Sequence, residues 1–228
     1  MNKTKKYLIT GAALIAAFVL WTVLIMSVDV KPVGQNGTDI GFSTVNVWFH
    51  ALTGENMTVY TVTDWLGLVP IAICMGYGFL GLCELIKRRS LFKVDADIIL
   101  LGVYYILVII GYLVFEMIPI NYRPIPINGY MEASYPSSTT LLVLSVMPTL
   151  VFQTYRRSKS LKVRRAVAAA AVLFSAFMVT GRLTCGVHWL TDIVGSVFLS
   201  FGLFYVYRGA VEFTDGRKRD KENENTCV

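Results

Sequence analysis

Six apolar segments, each about as long as a lipid bilayer is thick, recur along this chain. A helix that crosses the hydrocarbon core needs about 20 mostly apolar residues, because about 30 Å must be covered at about 1.5 Å per residue. The segments cover residues 7–28, 65–86, 97–120, 140–155, 166–181 and 189–207. Backbone amides in lipid must be paired within their own segment, which a continuous helix achieves. The sequence therefore predicts an all-α, polytopic membrane protein whose six transmembrane helices form a bundle.

The composition agrees with this class. Hydrophobic residues make up 55% of the 228 residues and charged residues only 16%, whereas charged residues account for about a quarter of an ordinary soluble domain. The chain has no evident internal repeat or low-complexity tract. We therefore predict one integral membrane domain over residues 1–228, with a cytoplasmic tail over about 209–228.

Lysine and arginine residues are distributed unevenly between the connecting segments. Eighteen of the twenty-one lie before the first apolar run, in the segments 87–93 and 155–165, and in the tail from Arg208. Cytoplasmic loops of membrane proteins carry such an excess, so we predict a plasma membrane protein with both termini in the cytoplasm. The net charge of +6 is then a signal of orientation, and no nucleic-acid partner is expected.

Two histidines and four cysteines are the potential metal ligands of most interest. The cysteines are scattered, without the spacing of a zinc site or a disulfide framework, so we predict no metal and no other cofactor. His50 lies in the long outer segment 38–54, whose apolar residues could line one face of an interfacial helix. We interpret His50 as an aromatic-belt neighbour at the membrane surface in preference to a catalytic residue.

A Pro-Ser-Ser-Thr turn precedes the fourth apolar run. Pro136 can end an extended segment, and Ser137 or Ser138 can cap the helix that follows. Uncapped amides at a helix start favour an anion, so the turn is either a plain cap or part of an anion site. The same outer loop contains Arg123, which is followed by Pro124.

Arg182, His188 and Asp192 lie at spacings of six and four, around the start of the last apolar run. If the helix begins near Val187, His188 and Asp192 share one face, and the carboxylate can hold an imidazole N–H. The other ring nitrogen is then free as a nucleophile or base. Alone, the trio could be a structural ion pair. Together with Arg123 it predicts a phosphate site with two guanidinium groups.

These motifs resemble those of the type 2 phosphatidic acid phosphatase superfamily of membrane lipid phosphatases. The family signature has three parts, K-x6-R-P, P-S-G-H and S-R-x5-H-x3-D. The matching residues, in the same order, are Arg123-Pro124, then Pro136-Ser137-Ser138, then Arg182-x5-His188-x3-Asp192.

The resemblance implies a role for each of these positions. His188 is expected to attack phosphorus and form a phosphohistidine, while Asp192 orients its ring. Arg123, Arg182 and residues Ser137, Ser138 and Thr139 are expected to lie around the phosphate. It also implies that the active site faces the outside of the cell and needs no metal.

The chain departs from the family pattern at three positions. Glu116 stands where the family has a phosphate-binding lysine, Thr139 stands where it has the histidine that protonates the leaving group, and Gly181 replaces a serine. Glu116 places negative charge near the expected phosphate unless it is paired or protonated. Glu116, Glu132 or a tyrosine could replace the missing acid.

The absence of the histidine that protonates the leaving group affects which substrate is expected. An alkoxide that leaves a phosphate monoester needs a proton, whereas the phosphate that leaves a diphosphate does not. We therefore expect a metal-independent phosphohydrolase whose partner is a phosphorylated lipid of the outer leaflet, with a diphosphate such as a polyprenyl diphosphate favoured over phosphatidate. The alternative is a catalytically lapsed family member that binds or helps to move such lipids.

Overall fold

Helices account for most of the chain. The computed structural model describes residues 3–226, with side chains described through residue 220. Within that part there are eight α-helices, two short 3-10 turns and no β-strand. The helices are α1 (Lys3–Ser27), α2 (Ser43–Thr53), α3 (Met57–Leu66), α4 (Leu68–Arg88), α5 (Ala96–Met117), α6 (Ser138–Arg157), α7 (Leu161–Thr184) and α8 (Leu190–Thr226).

Six spans in the described part are long and apolar enough to cross a membrane. They are Lys3–Ser27, Met57–Arg88, Ala96–Met117, Ser138–Arg157, Leu161–Thr184 and Leu190–Asp220. The predicted all-α fold with six membrane helices is therefore confirmed. The outer segment also contains a helix, α2, inside the stretch for which an interfacial helix was predicted.

Three of the differences between the predicted and the observed helix bounds have a clear physical reason. The second span begins with α3, which carries several threonines and Asp64 and so falls outside an apolar run. The third ends at Met117 instead of residue 120, because the residue before Pro119 disfavours helical geometry. The last helix continues beyond residue 207 into the predicted tail, where polar residues such as Glu and Lys favour helix as strongly as apolar ones.

The first and last helices pack together closely along their length. Gly11 faces Val206, and Gly202 faces Ile15, so closely that a Cβ atom on either glycine would overlap the opposite helix. Small residues allow this approach, and close backbone packing is a main source of helix association in membranes.

Ion pairs connect three helices at the end of the bundle where α5 begins and α6 ends. Buried Asp97 accepts hydrogen bonds from Arg156 at 3.3 Å and Arg157 at 3.0 Å. Arg156 also pairs with Asp215 of α8 at 2.7 Å. We call this the basic end, and the opposite end, where α6 and α8 begin, the site end.

Tyr135 anchors the segment that connects α5 to α6 at the site end. Its ring stacks on Phe18 of α1, with centroids 6.0 Å apart, and its hydroxyl lies 2.7 Å from that of Thr22. A Cβ atom on Gly195 of α8 would overlap the same ring. The segment is thereby held between α1 and α8.

Candidate active site

The segment 118–137, which we call the site loop, folds back on itself. Tyr122 pairs with Ala133 in an antiparallel bridge, and the Arg123 amide donates to the Glu132 carbonyl at 3.1 Å. The Ser134 amide donates to the Asn121 carbonyl at 2.9 Å. This pairing brings Arg123 and the chain around Ser134 together above the starts of α6 and α8.

His188 lies in the short turn between α7 and α8. Helix α8 begins at Leu190, within one residue of the start of the predicted run 189–207, so His188 precedes the helix and does not share a helical face with Asp192. The Asp192 carboxylate accepts from the Trp189 amide at 2.9 Å and so caps the helix at this point. Gly186 has a φ of +74°, which is costly for residues with a side chain.

The environment of His188 fixes the position of its proton. Its Nδ1 lies 3.1 Å from the Ser134 carbonyl oxygen and 3.7 Å from Oδ2 of Asp192. Since a carbonyl oxygen can only accept, Nδ1 carries the hydrogen. In a neutral ring Nε2 is then the nitrogen with a free lone pair.

The charge state of His188 follows from its burial. The side chain is almost fully enclosed, and this burial lowers the pKa of His188 below its ordinary value of 6.5. The positive charges of Arg123 and Arg182 act in the same direction, and Asp192 opposes them. The ring is therefore neutral near pH 7, as a nucleophile requires.

Asp192 joins the two helix starts at the site end. Its side chain is fully buried, and Oδ1 accepts from the Asn121 side chain at 3.4 Å. Its carbonyl accepts from the Ser137 amide at 3.4 Å and from the Ser196 hydroxyl at 2.9 Å. Asp192 therefore holds the site loop, α6 and α8 together beside His188.

A polar pocket of about 190 Å³ opens onto this histidine. It is lined by Tyr112, Glu116, Arg123, Glu132, Ala133, Ser134, Tyr135, Pro136, Ser138 and His188. Helix α6 begins at this pocket with Ser138, and the hydroxyl of the preceding Ser137 donates to Thr140 at 3.1 Å instead of capping the helix. The first amides of α6 are thus available to an anion.

Arg123 provides the positive charge of the pocket. Its guanidinium lies 3.1 Å from the Glu132 carboxylate, which is partly exposed. Two further guanidinium nitrogens, Nε and the second terminal nitrogen, are buried and have no hydrogen-bond partner among the described residues. Buried donors without partners are costly, and a bound phosphate would satisfy them.

Arg182 does not line the pocket. It is only 1% exposed and pairs with Asp64 of α3 at 2.9 Å, while its guanidinium lies over the Tyr60 ring at 5.0 Å. The pocket lining therefore contains one of the two predicted phosphate-binding arginines, Arg123, whereas Arg182 lies in a contact between α3 and α7.

Two more residues singled out in the sequence lie outside the pocket lining. Thr139 faces an apolar groove of about 530 Å³ between α4, α5 and α6, which we call the chain groove. His50 lies 3.1 Å from the Gly186 carbonyl and near the Trp189 ring, so it contacts the turn that carries His188. It supports this turn and is not among the residues of the pocket lining.

Sequence reasoning missed Asn121, Ser134 and Asp64. Ser134 contacts His188 through its backbone carbonyl, and no pattern of residue types predicts such a contact. Asn121 lies in a loop without a motif. An acidic residue next to an apolar run does signal a function or a partner, so Asp64 could have been paired with Arg182 in advance.

Fold and pocket together define a multi-pass helical membrane protein with a neutral histidine and an arginine at a polar pocket. The family model of the PAP2 superfamily matches residues 71–214, which is more than half of the chain. The protein therefore belongs to the PAP2 superfamily, which confirms the resemblance carried by the three motifs and supports its assignment as a lipid phosphatase.

A solved structure supports the fold. The chain is similar to the crystal structure of the first transmembrane PAP2 type phosphatidylglycerolphosphate phosphatase from Bacillus subtilis, with a TM-score of 0.57 and 19% identity. The alignment covers 89% of this chain and 96% of that chain. Comparison with curated proteins gives no match.

Proposed function

We propose that the protein hydrolyses phosphorylated lipids at the outer leaflet of the plasma membrane through a phosphohistidine, without a metal. The observation that carries this proposal is the hydrogen bond between His188 Nδ1 and the Ser134 carbonyl. It leaves Nε2 of a buried, neutral ring available at a pocket that also contains Arg123 and the start of α6.

The phosphoryl group would be bound by Arg123, Ser138 and the first amides of α6. Nε2 of His188 attacks phosphorus, the bond to the leaving group breaks, and the imidazole becomes a phosphorylated cation. Asp192, 3.7 Å from Nδ1, is positioned to stabilise that positive charge. Water then cleaves the N–P bond and restores the ring.

The lipid part of the substrate would occupy the chain groove. Its walls are mainly apolar side chains of α4, α5 and α6, and it meets the polar pocket at Tyr112 and Ser138. A phosphate in the pocket can therefore carry a hydrocarbon chain in the groove without burying charge in lipid.

A lipid diphosphate is the favoured substrate. A threonine hydroxyl at position 139 is not an acid near neutral pH, and Thr139 lines the chain groove. Phosphate is a much weaker base than an alkoxide, so it leaves a diphosphate without protonation. General acid catalysis contributes about 10²–10⁴-fold where it is needed, and this factor favours diphosphates over monoesters.

The side of the membrane is inferred from charge. Most lysines and arginines lie toward the basic end, which the distribution of positive charge assigns to the cytoplasm. The pocket is at the opposite end of the bundle and would face the outer leaflet.

Phosphate release by the purified protein tests the proposal. We expect wild-type protein with a chelator to release phosphate from a panel of lipid mono- and diphosphates, and His188→Ala to abolish release. An acid-labile, base-stable phosphoryl group should be trapped on wild-type protein. Activity that survives His188→Ala would rule out the phosphohistidine.

A second candidate is a lapsed enzyme that binds phosphorylated lipids without cleaving them. The observation in its favour is that Arg182 pairs with Asp64 and does not line the polar pocket. Folded wild-type protein that binds lipid diphosphates but releases no phosphate from any of them would support this candidate.

A further inference from the structure

Two cavities of different character meet at two side chains. The polar pocket contains Arg123 and His188, and the chain groove is mainly apolar; Tyr112 and Ser138 line both of them. Among the described residues, these two side chains mark the junction between the polar pocket and the chain groove.

The role of the junction described next rests on the proposed function, the hydrolysis of phosphorylated lipids. A lipid phosphate is a polar group joined to an apolar chain through one bridging oxygen. With the phosphoryl group in the pocket and the chain in the groove, the bridging oxygen lies between the two cavities. A residue that protonates it must therefore reach the junction.

Only one of the two junction side chains is a practical acid. Ser138 carries an alcohol, which does not give up a proton near neutral pH, whereas a phenol is a much stronger acid than an alcohol. Glu116 lies four residues after Tyr112, about one turn along α5. It lines the polar pocket but not the chain groove. Glu132 is engaged by Arg123 at 3.1 Å.

We propose that Tyr112 protonates the leaving-group oxygen of lipid phosphate monoesters. As the His188 Nε2–P bond forms and the P–O bond breaks, the electron pair passes to the bridging oxygen, which takes the phenol proton and leaves as a lipid alcohol. In the second step water attacks phosphorus, the phenolate accepts a proton from that water, and phosphate leaves His188. The cycle returns Tyr112 and His188 to their starting forms.

This assignment agrees with a preference for diphosphates. A phenol is a weaker acid than the imidazolium ion, so monoesters are cleaved more slowly than with a placed histidine, while diphosphates need neither group. Tyr112 therefore determines how fast the enzyme cleaves monoesters relative to diphosphates.

The test compares leaving groups in Tyr112→Phe, which keeps the ring and removes only the hydroxyl. The substrates are a lysophosphatidate in detergent micelles, which releases an alcohol, and p-nitrophenyl phosphate, which releases a stabilised phenolate. We expect the rate for lysophosphatidate to fall by about 10²–10⁴-fold, the contribution of general acid catalysis, with little change for p-nitrophenyl phosphate.

The matched control is Tyr104→Phe. Tyr104 is on the same helix but lines neither the polar pocket nor the chain groove, and its hydroxyl donates to the Ser145 carbonyl at 3.0 Å. This variant should lower neither rate selectively.

Three results would overturn the assignment of Tyr112. They are an equal loss on both substrates, a selective loss in Glu116→Gln but not in Tyr112→Phe, and a wild type that cleaves lipid diphosphates but no monoester. None of them touches the proposed function, which fails instead if no substrate is cleaved or if His188→Ala remains active.

Discussion

His188 and Ser134 form the central contact of the candidate active site. The ring nitrogen Nδ1 of His188 lies 3.1 Å from the Ser134 carbonyl oxygen, closer than the 3.7 Å to the Asp192 carboxylate. A backbone carbonyl, fixed by the paired site loop, therefore orients the histidine. Asp192 then has two other tasks, because it caps α8 and offsets positive charge on the ring.

Asp192→Asn should shift the pH dependence of activity toward acid. Asp192 raises the pKa of His188 and opposes the effect of burial, so its removal lowers that pKa further. Neutral His188 then persists to lower pH, and the acidic limb of kcat/KM moves down. The rate should fall by less than the ~10⁴-fold seen when an aspartate is the sole orienting partner, since the Ser134 carbonyl remains.

The shift is measured against wild type with the same substrate, so ionisation of the substrate cancels. Asp29→Asn, which removes a carboxylate paired with Lys31 in the loop after α1, is the control and should leave the limb in place. A limb that moves toward alkali in Asp192→Asn would contradict the described electrostatics.

Glu132→Gln should tighten phosphate binding. The Glu132 carboxylate lies 3.1 Å from the Arg123 guanidinium and competes with substrate for it. A partly exposed pair is worth up to about 1 kcal/mol, so KM should fall by up to about fivefold. Arg123→Gln should raise KM by about 10- to 100-fold, because a charged hydrogen bond contributes about 1.5–3 kcal/mol.

The inhibition constant for inorganic phosphate compares phosphate binding in wild type and Glu132→Gln without a catalytic step. Asp39→Asn, an exposed acid in the segment between α1 and α2, serves as control for the change in net charge. Equal inhibition constants in Glu132→Gln and wild type would mean that Glu132 does not compete for Arg123.

Gly195→Ala should destabilise the protein and impair the site together. The added methyl group would overlap the Tyr135 ring, which anchors the site loop. Overpacking of this kind costs about 1–3 kcal/mol. Thermal unfolding in detergent should show a lower midpoint, with reduced activity at temperatures where the protein remains folded. Gly102→Ala in α5, where the methyl group meets open space, should lower neither.

Thr139→His should accelerate monoesters by up to about the 10²–10⁴-fold of a placed acid, and diphosphates much less. Thr139 adjoins Ser138 and lines the chain groove, so an imidazole there could reach the junction. The measurement is the ratio of monoester to diphosphate rates in folded protein. A folded variant with an unchanged ratio would show that position 139 does not reach the leaving group.

Cysteine labelling in whole cells should locate the site end outside. Tyr130→Cys, at an exposed tip of the site loop, should react with an impermeant thiol reagent, and Lys159→Cys, between α6 and α7, should not. Both variants are made in a chain whose natural cysteines are replaced. The opposite pattern of labelling would reverse the orientation.

The fold class and the main residues of the candidate site could be predicted from the sequence alone. Each of the six apolar runs forms a helix in lipid, because its backbone groups must be paired within the segment. Arg123, His188 and Asp192 stand out because charged or titratable groups at such positions need a partner or a function. The start of α6 at Ser138 also follows from the local Pro-Ser-Ser-Thr pattern.

Which of these groups contact one another could not be predicted from the sequence, because it depends on how the helices pack. Arg123 and Arg182 both match arginines of the family signature, yet Arg182 pairs with Asp64, because α3 packs against α7. Ser134 contacts His188 through its backbone carbonyl, a group that every residue has. Nothing in the sequence distinguishes Tyr112 from the other tyrosines of the membrane helices, and only the structure places it beside both cavities. Such relations join residues far apart in the chain, and they depend on helix packing and loop geometry that local sequence does not encode.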